Sequence, residues 1–267
     1  MSAGRTPARS LARLRTSLSD RDLAILHSVS DLRFVTARQL QVLHFDGDHQ
    51  TALTAARTCR RVLERLTDLA VLRRLERVIG GVRAGSGSFV YGLGPAGHRL
   101  LSDGHERHGF REPSLMFLDH TLAVAGLLTT VVTAAKRDDL QLIRHETEPA
   151  VWRSIPGYGS GETLRPDLLL VVARGPMEWH WYVEADLGTE HGPAVARKCR
   201  QYLRYYQTGR EQALHGIFPK IAWLTTTARR ADQLRALAHE VAGELPLFEV
   251  GLLGDPLPLL VPNEATR

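Results

Sequence analysis

The segment from Arg165 to Asp186 leaves few ways to fold. It reads Arg-Pro-Asp-Leu-Leu-Leu-Val-Val-Ala-Arg-Gly-Pro-Met-Glu-Trp-His-Trp-Tyr-Val-Glu-Ala-Asp, with apolar runs on both sides of the turn-forming tetrapeptide Arg174-Gly175-Pro176-Met177. Such runs around a Gly-Pro turn make a β-hairpin, and the simplest register is symmetric about the Gly175–Pro176 bond. Residues equidistant from that bond then stand opposite each other, which pairs Asp167 with Glu184. Opposed residues project to one side with Cβ atoms roughly 5 Å apart, and Asp186, two residues on, shares their face. Three carboxylates held together repel unless a cation or a proton compensates, and a divalent metal is the simplest remedy. The second strand alternates Trp179, Trp181, Val183 and Ala185 against His180, Tyr182, Glu184 and Asp186, so one face is expected in the core and the other holds the acids. A helix from Pro193 to about Gln207 follows, with Val195, Cys199, Tyr202, Leu203 and Tyr206 as its buried stripe. Lys198 lies at the border of that stripe, within reach of the hairpin edge.

Charge divides the chain. Residues 1–111 carry 18 arginines against 10 acids, while residues 112–267 carry 16 basic residues against 19 acids. The basic half is the candidate polyanion binder. Only Lys136, Lys198 and Lys220 are lysines among 34 basic residues, a bias that gives each retained lysine weight. Residues 1–15 read as a flexible tail, 16–111 as one domain, 112–262 as a second, and the last few residues as a loose end.

In the first domain, Ser19-Asp-Arg-Asp22 and Thr36-Ala-Arg-Gln39 have capping-box spacing and each opens an amphipathic helix. A third helix is expected over His49–Leu69, with Ala55, Cys59, Val62, Leu66 and Leu69 inward and Thr54, Arg57, Thr58, Arg61 and Arg65 outward. Strands over Val71–Ile79 and Ser88–Leu93 flank a glycine-rich tip that carries Arg83. Three helices and a hairpin make a winged helix-turn-helix, whose third helix lies in the major groove of double-stranded DNA with arginines on phosphates or guanine edges. A solvated basic face in an arginine-rich protein is the competing reading.

From Glu112 onward the expected order is helix, three strands, helix, strand, helix, strand, an α/β sandwich around a mixed sheet. The fold class is therefore α/β, or α+β over both domains. The most apolar stretch, Leu122–Ala135, contains three threonines and falls short of the ~20 residues of a membrane span. With no signal-peptide core at its start, the chain reads as cytoplasmic and without a membrane role. Cys59 and Cys199 each fall on an apolar helix face, as reduced core thiols rather than a disulfide or a zinc site.

Together Leu18-Ser-Asp-Arg-Asp22, Phe34-Val-Thr-Ala-Arg-Gln-Leu40, Tyr91-Gly-Leu-Gly-Pro-Ala-Gly97, His120, Arg165-Pro-Asp167, Glu184-Ala-Asp186 and Arg197-Lys198 with Tyr202 resemble the replication-relaxation family of plasmids and integrated mobile elements. The resemblance implies a winged helix followed by a restriction-endonuclease-like domain of the PD-(D/E)xK nuclease superfamily. That motif asks for Glu-x-Lys on the second strand, and Asp186 occupies the lysine position. Lys198 stands where a lysine supplied by the following helix would be. On this pattern Asp167, Glu184, Asp186 and Lys198 are the candidate catalytic residues, with the three acids as ligands for Mg²⁺, or Mn²⁺ in its place, and Lys198 orienting the attacking water. Glu146 or Glu148 could add a ligand, and His120 could stand at the periphery. The competing reading of the acids is a salt-bridged surface cluster in which Arg165 or Lys198 neutralises Asp167 and Glu184.

Two functions from different classes follow. One is a metal-dependent DNA endonuclease or nickase delivered by its winged helix. The other is a noncatalytic DNA-binding protein whose decayed nuclease domain serves homodimerisation or engages replication or conjugation proteins of the same element; Asp186 favours this one.

Overall fold

The two expected capping boxes both close in the computed structural model, which describes residues 8–47, 51–75, 89–102, 112–156, 161–189 and 191–262. The chain divides into two compact units, residues 1–129 and 130–267. Over these residues it is the mixed α/β protein expected from the sequence.

The first unit opens with α1 (Ala8–Ser17), in a stretch that reads as a tail. Burial of Leu11 and Leu18 explains the difference: these two apolar side chains give the segment a surface to pack. Next comes α2 (Asp20–Leu32). Its Ser19 Oγ accepts the Asp22 N–H at 3.3 Å, and the Asp22 carboxylate accepts the Ser19 N–H at 2.9 Å. A short β1 (Val35–Thr36) leads into α3 (Ala37–His44), where Thr36 and Gln39 make the same exchange at 3.2 and 2.8 Å. Then α4 (Ala52–Asp68) buries Ala55, Cys59, Leu63 and Leu66. Leu63 replaces the expected Val62, which is half-buried, because the stripe follows the 3.6-residue turn more closely than the four-residue steps alone.

β2 (Leu72–Leu75), β3 (Val90–Leu93) and α5 (Pro95–Leu101) complete this part. β3 lies between β1 and β2 and is antiparallel to both. The tip expected between β2 and β3, with Arg83, lies outside the described residues. The Tyr91–Gly97 motif has a steric explanation. A Cβ on Gly94 would stand 2.3 Å from the Ala70 carbonyl oxygen, and one on Gly97 2.2 Å from that of Val71. The same corner is stitched by Gly94 N–H donating to Val71 O at 2.9 Å and Ala96 N–H to Ala70 O at 3.0 Å. Glycine is required because two backbones cross in contact.

α6 (Leu115–Arg137) runs from the first unit into the second. The apolar run at Leu122–Ala135 extends through Leu115, Met116, Phe117 and Leu118, so this helix is, by length and composition, apolar enough to cross a membrane, contrary to the length expected from the run alone. Nearly half of its most apolar stretch is buried, as in a core helix. Phe117 meets Phe34 edge-on at 6.2 Å, and Leu122 O accepts from Gln39 Nε2 at 2.9 Å.

The second unit contains β4 (Gln141–Thr147), β5 (Arg153–Ile155), β6 (Glu162–Leu164), β7 (Leu168–Arg174), β8 (Met177–Asp186), α7 (Gly192–Gln207), α8 (Arg210–His215), β9 (Lys220–Thr225), α9 (Ala228–Ala242), β10 (Phe248–Leu252) and α10 (Leu257–Leu260). Five strands form a mixed sheet in the order β10-β9-β8-β7-β4, parallel among β8, β9 and β10 and antiparallel elsewhere. β5 and β6 pair separately. The hairpin has the expected symmetric register: Leu168 faces Val183, Arg174 faces Met177, and Gly175 takes φ +54° in the turn. The division into a core face and an acid face is corrected, however. Trp181, Val183 and Ala185 are buried, and so are Tyr182, Glu184 and Asp186. Tyr182, Leu169, Ile221 and Trp223 pack with Val195, Cys199, Tyr202 and Tyr205 of α7 and Leu234 of α9, so helices cover the acid face, as parallel strands require.

The crossing at the Gly94–Gly97 corner predicts that Gly97→Ala lowers stability by about 1–3 kcal/mol through overpacking. Gly126→Ala, whose methyl would meet only Gln39 Nε2 at 3.7 Å, is expected to be neutral or to stabilise α6 by up to about 1 kcal/mol. Thermal denaturation of the two variants separates these outcomes.

Candidate functional site

The hairpin register carries Asp167 and Glu184 to the same end of the sheet. Asp167 precedes β7 and continues its ladder, donating its N–H to Val183 O at 3.2 Å. Its Oδ2 accepts the Ala185 N–H at 2.8 Å. Glu184 points beneath α7, where Tyr202 donates to Oε1 at 2.5 Å and the Lys198 ammonium donates to Oε2. Lys198 therefore reaches the hairpin as its place at the border of the α7 stripe predicts.

Asp186 is on the same face but belongs to another group. Its Oδ2 accepts from Arg230 Nε at 2.7 Å and Thr225 Oγ1 at 3.1 Å, and its Oδ1 from Arg230 Nη2 at 3.2 Å and Gly188 N at 3.3 Å. β9 supplies the threonine and the first turn of α9 the arginine, which binds the carboxylate with two nitrogens. Glu184 is 2% exposed and Asp186 3%.

Electrostatics follow from this enclosure. Burial pushes the Glu184 carboxyl up to about 8; Lys198 opposes the rise and the neighbouring Asp167 charge adds to it. The Tyr202 phenol is raised well above its usual range, first by burial and then by Glu184. Glu184 and Asp186 thus each have a cation from the chain itself: Lys198 for Glu184 and Arg230 for Asp186.

A Mg²⁺ or Mn²⁺ ion held by Asp167, Glu184 and Asp186 would need free oxygens converging on one point. Both Glu184 oxygens and both Asp186 oxygens accept hydrogen bonds, the latter from Arg230 of α9, Thr225 of β9 and the Gly188 N–H. Among the described residues, no group of three or more His, Cys, Asp and Glu could hold a metal ion. The donor set does not fit the ion. Glu146 pairs with Arg153 at 2.8 Å and with Arg144, while Glu148 accepts from Trp152 Nε1 at 3.2 Å. Arg165 stacks over the Trp152 ring at 4.6 Å rather than on Asp167. His120 lies on α6 in the first unit.

Tyr202 has the spacing of a core residue and fulfils that role while bonding Glu184. Thr225 and Arg230 were not legible as site residues, because they lie three and four elements beyond Asp186 and no local spacing links them to it.

The first unit presents a second candidate surface. On α4, opposite Ala55, Cys59, Leu63 and Leu66, the side chains of Thr54, Arg57, Arg60 and Arg61 are exposed. None of the described residues accepts a hydrogen bond or ion pair from Arg57, Arg60 or Arg61. Thr58 is half-buried. Arg65 differs from its neighbours: its Nη2 donates to Asp22 Oδ1 at 2.6 Å, tying α4 to the capping box of α2. That bond, with the cap hydrogen bonds, holds the Asp22 carboxyl below its ordinary value despite burial, which opposes them. Arg60, one three-residue step from Arg57, was missed although the same spacing leads to it.

A family model described as replication-relaxation matches residues 26–221, more than half of the chain. No curated protein and no solved structure matches.

Above the Glu184 value of about 8, Lys198→Met is expected to cost about 3 kcal/mol or more, since it leaves a buried carboxylate without its cation. Lys198→Met/Glu184→Gln should recover most of that loss, and chemical denaturation in that pH range measures both. The folded Glu184 carboxyl holds its proton more tightly than an unfolded one at 4.5. Its stabilising contribution is therefore complete below about 4.5 and lost as pH rises to about 8. Glu184→Gln should flatten stability between those values, and an unchanged pH profile in the variant would contradict the assignment.

Proposed function

The chain belongs to the replication-relaxation family, and from that membership we propose that it is a DNA-binding protein of a plasmid or integrated mobile element, acting in replication or DNA relaxation. The first unit reads duplex DNA as a winged helix, with α4 in the major groove. The second is a nuclease-like domain that no longer cuts and serves to hold DNA or partner proteins.

The observation that carries the DNA-binding reading is the exposed arginine face of α4. Arg57, Arg60 and Arg61 stand opposite a buried stripe on a helix followed by two antiparallel strands. Arginines there contact phosphates from the groove edge and guanine from its floor. Arg65 is held by Asp22 and fixes the angle of α4 rather than contacting DNA.

The noncatalytic reading of the second unit is supported by the commitments of its acids. A phosphodiester nuclease of this type needs carboxylate oxygens open to a metal and a phosphate. Here Lys198 and Tyr202 cover Glu184, and Arg230 and Thr225 cover Asp186.

Arg57→Ala/Arg61→Ala is expected to lower duplex affinity about tenfold or more in fluorescence anisotropy. It should also reduce the slope of log affinity against log salt by about 0.9 for each phosphate that the variant no longer neutralises. Supercoiled plasmid bearing the parent element's origin should stay supercoiled with Mg²⁺ or Mn²⁺. Nicking by the wild type that disappears in Asp167→Ala would overturn the noncatalytic reading, and unchanged affinity in the arginine variant would overturn the assignment of α4.

A further inference from the structure

The outer face of α7 is the strongest charged feature outside the sites above. This helix carries Arg197, Lys198, Arg200 and Arg204 and no acidic residue in its 16 positions. The composition is unusual for its surroundings, because residues 112–267 hold more acids than bases. Lys198 turns inward to Glu184. The three arginines are exposed, and at about 100° per residue they fall within roughly 60° of one another, opposite Val195, Cys199 and Tyr202.

Arg204 pairs with Glu162, which also accepts from Gln201 Nε2 at 2.6 Å. Among the described residues, no carboxylate forms an ion pair with Arg197 or Arg200. Folding does not call for such a ridge: like charges at three- and four-residue steps destabilise a helix, and no buried acid on this face needs them. A polyanion laid along the helix relieves the repulsion. From Arg197 to Arg204 the axis rises about 10 Å, the axial length of roughly three phosphates on one DNA strand.

We propose that Arg197, Arg200 and Arg204 form a second duplex-DNA contact, a phosphate-binding ridge on the outer face of α7. It rests on the DNA-binding reading above and extends it to the second unit. The contact is independent of base sequence, since arginines on an exposed helix face meet a phosphate backbone by charge. It also gives the nuclease-like domain a task that needs no chemistry at Glu184.

The test is fluorescence anisotropy of the full-length protein on a labelled mixed-sequence duplex over a range of salt. Wild type is compared with Arg197→Gln/Arg200→Gln, Arg57→Ala/Arg61→Ala, and the charge-matched Arg137→Gln/Arg235→Gln, whose arginines are exposed elsewhere on the second unit. Circular dichroism and melting curves confirm that each variant is folded. The ridge variant is expected to bind about tenfold more weakly than wild type, with a salt slope shallower by the equivalent of roughly two phosphates, while the charge-matched variant stays close to wild type. Wild-type affinity and slope in the ridge variant, with weakening in the α4 variant, would overturn the ridge and leave the α4 reading intact. Weakening in the ridge variant alone would support the ridge and overturn the assignment of α4. Equal weakening in ridge and charge-matched variants would reduce the effect to net charge and overturn the ridge. No duplex binding by wild type would overturn both.

Discussion

The Lys198–Glu184 pair is the contact on which the second unit turns. A carboxylate placed beneath a helix, on a sheet covered on both faces, cannot stay charged without a partner. Lys198 supplies the positive charge and Tyr202 occupies the second oxygen. Because both come from α7, neutralising the acid also fixes that helix over β8. Arg230 does the same for α9 through Asp186. Two acids at the end of one strand thus set the placement of two helices, and the apolar packing of Tyr182, Trp223, Cys199 and Leu234 fills the space between.

On the proposed reading, this arrangement also separates nuclease-like ancestry from chemistry. The order Asp167, Glu184, Lys198 resembles a nuclease-like pattern, and Glu184 and Asp186 are engaged in internal pairs. Asp186, in the position where the motif has lysine, creates the need for Arg230. One departure from the pattern is accompanied by a second cation, and the pair closes what would otherwise be an open carboxylate. The exposed arginine faces of α4 and of the outside of α7 meet solvent rather than the acids.

Much of the fold was legible because its signals are local. The hairpin register follows from a two-residue turn between matched apolar runs, and the capping boxes from residues three apart. The reach of Lys198 to Glu184 follows from helical phase. Interactions between distant segments left no such trace. Arg65 looked like a member of the α4 basic face, and only its bond to Asp22 on α2 reveals a structural role. Arg230 carries no spacing signal toward Asp186. The burial of the acid face was hidden for the same reason: alternation along β8 shows that two faces differ in chemistry, whereas coverage by α7 and α9 depends on tertiary packing. The glycines of Tyr91–Gly97 were visible as a motif, but the Ala70–Val71 backbone that demands them lies far back in the sequence.

The most direct test of the internally neutralised site is isothermal titration calorimetry of the purified protein with Mn²⁺. If Lys198 and Arg230 already satisfy the buried acids, millimolar Mn²⁺ gives no saturable heat, and Asp167→Ala gives the same trace as wild type. Saturable binding by wild type that disappears in Asp167→Ala would contradict the account and return these acids to the role of metal ligands.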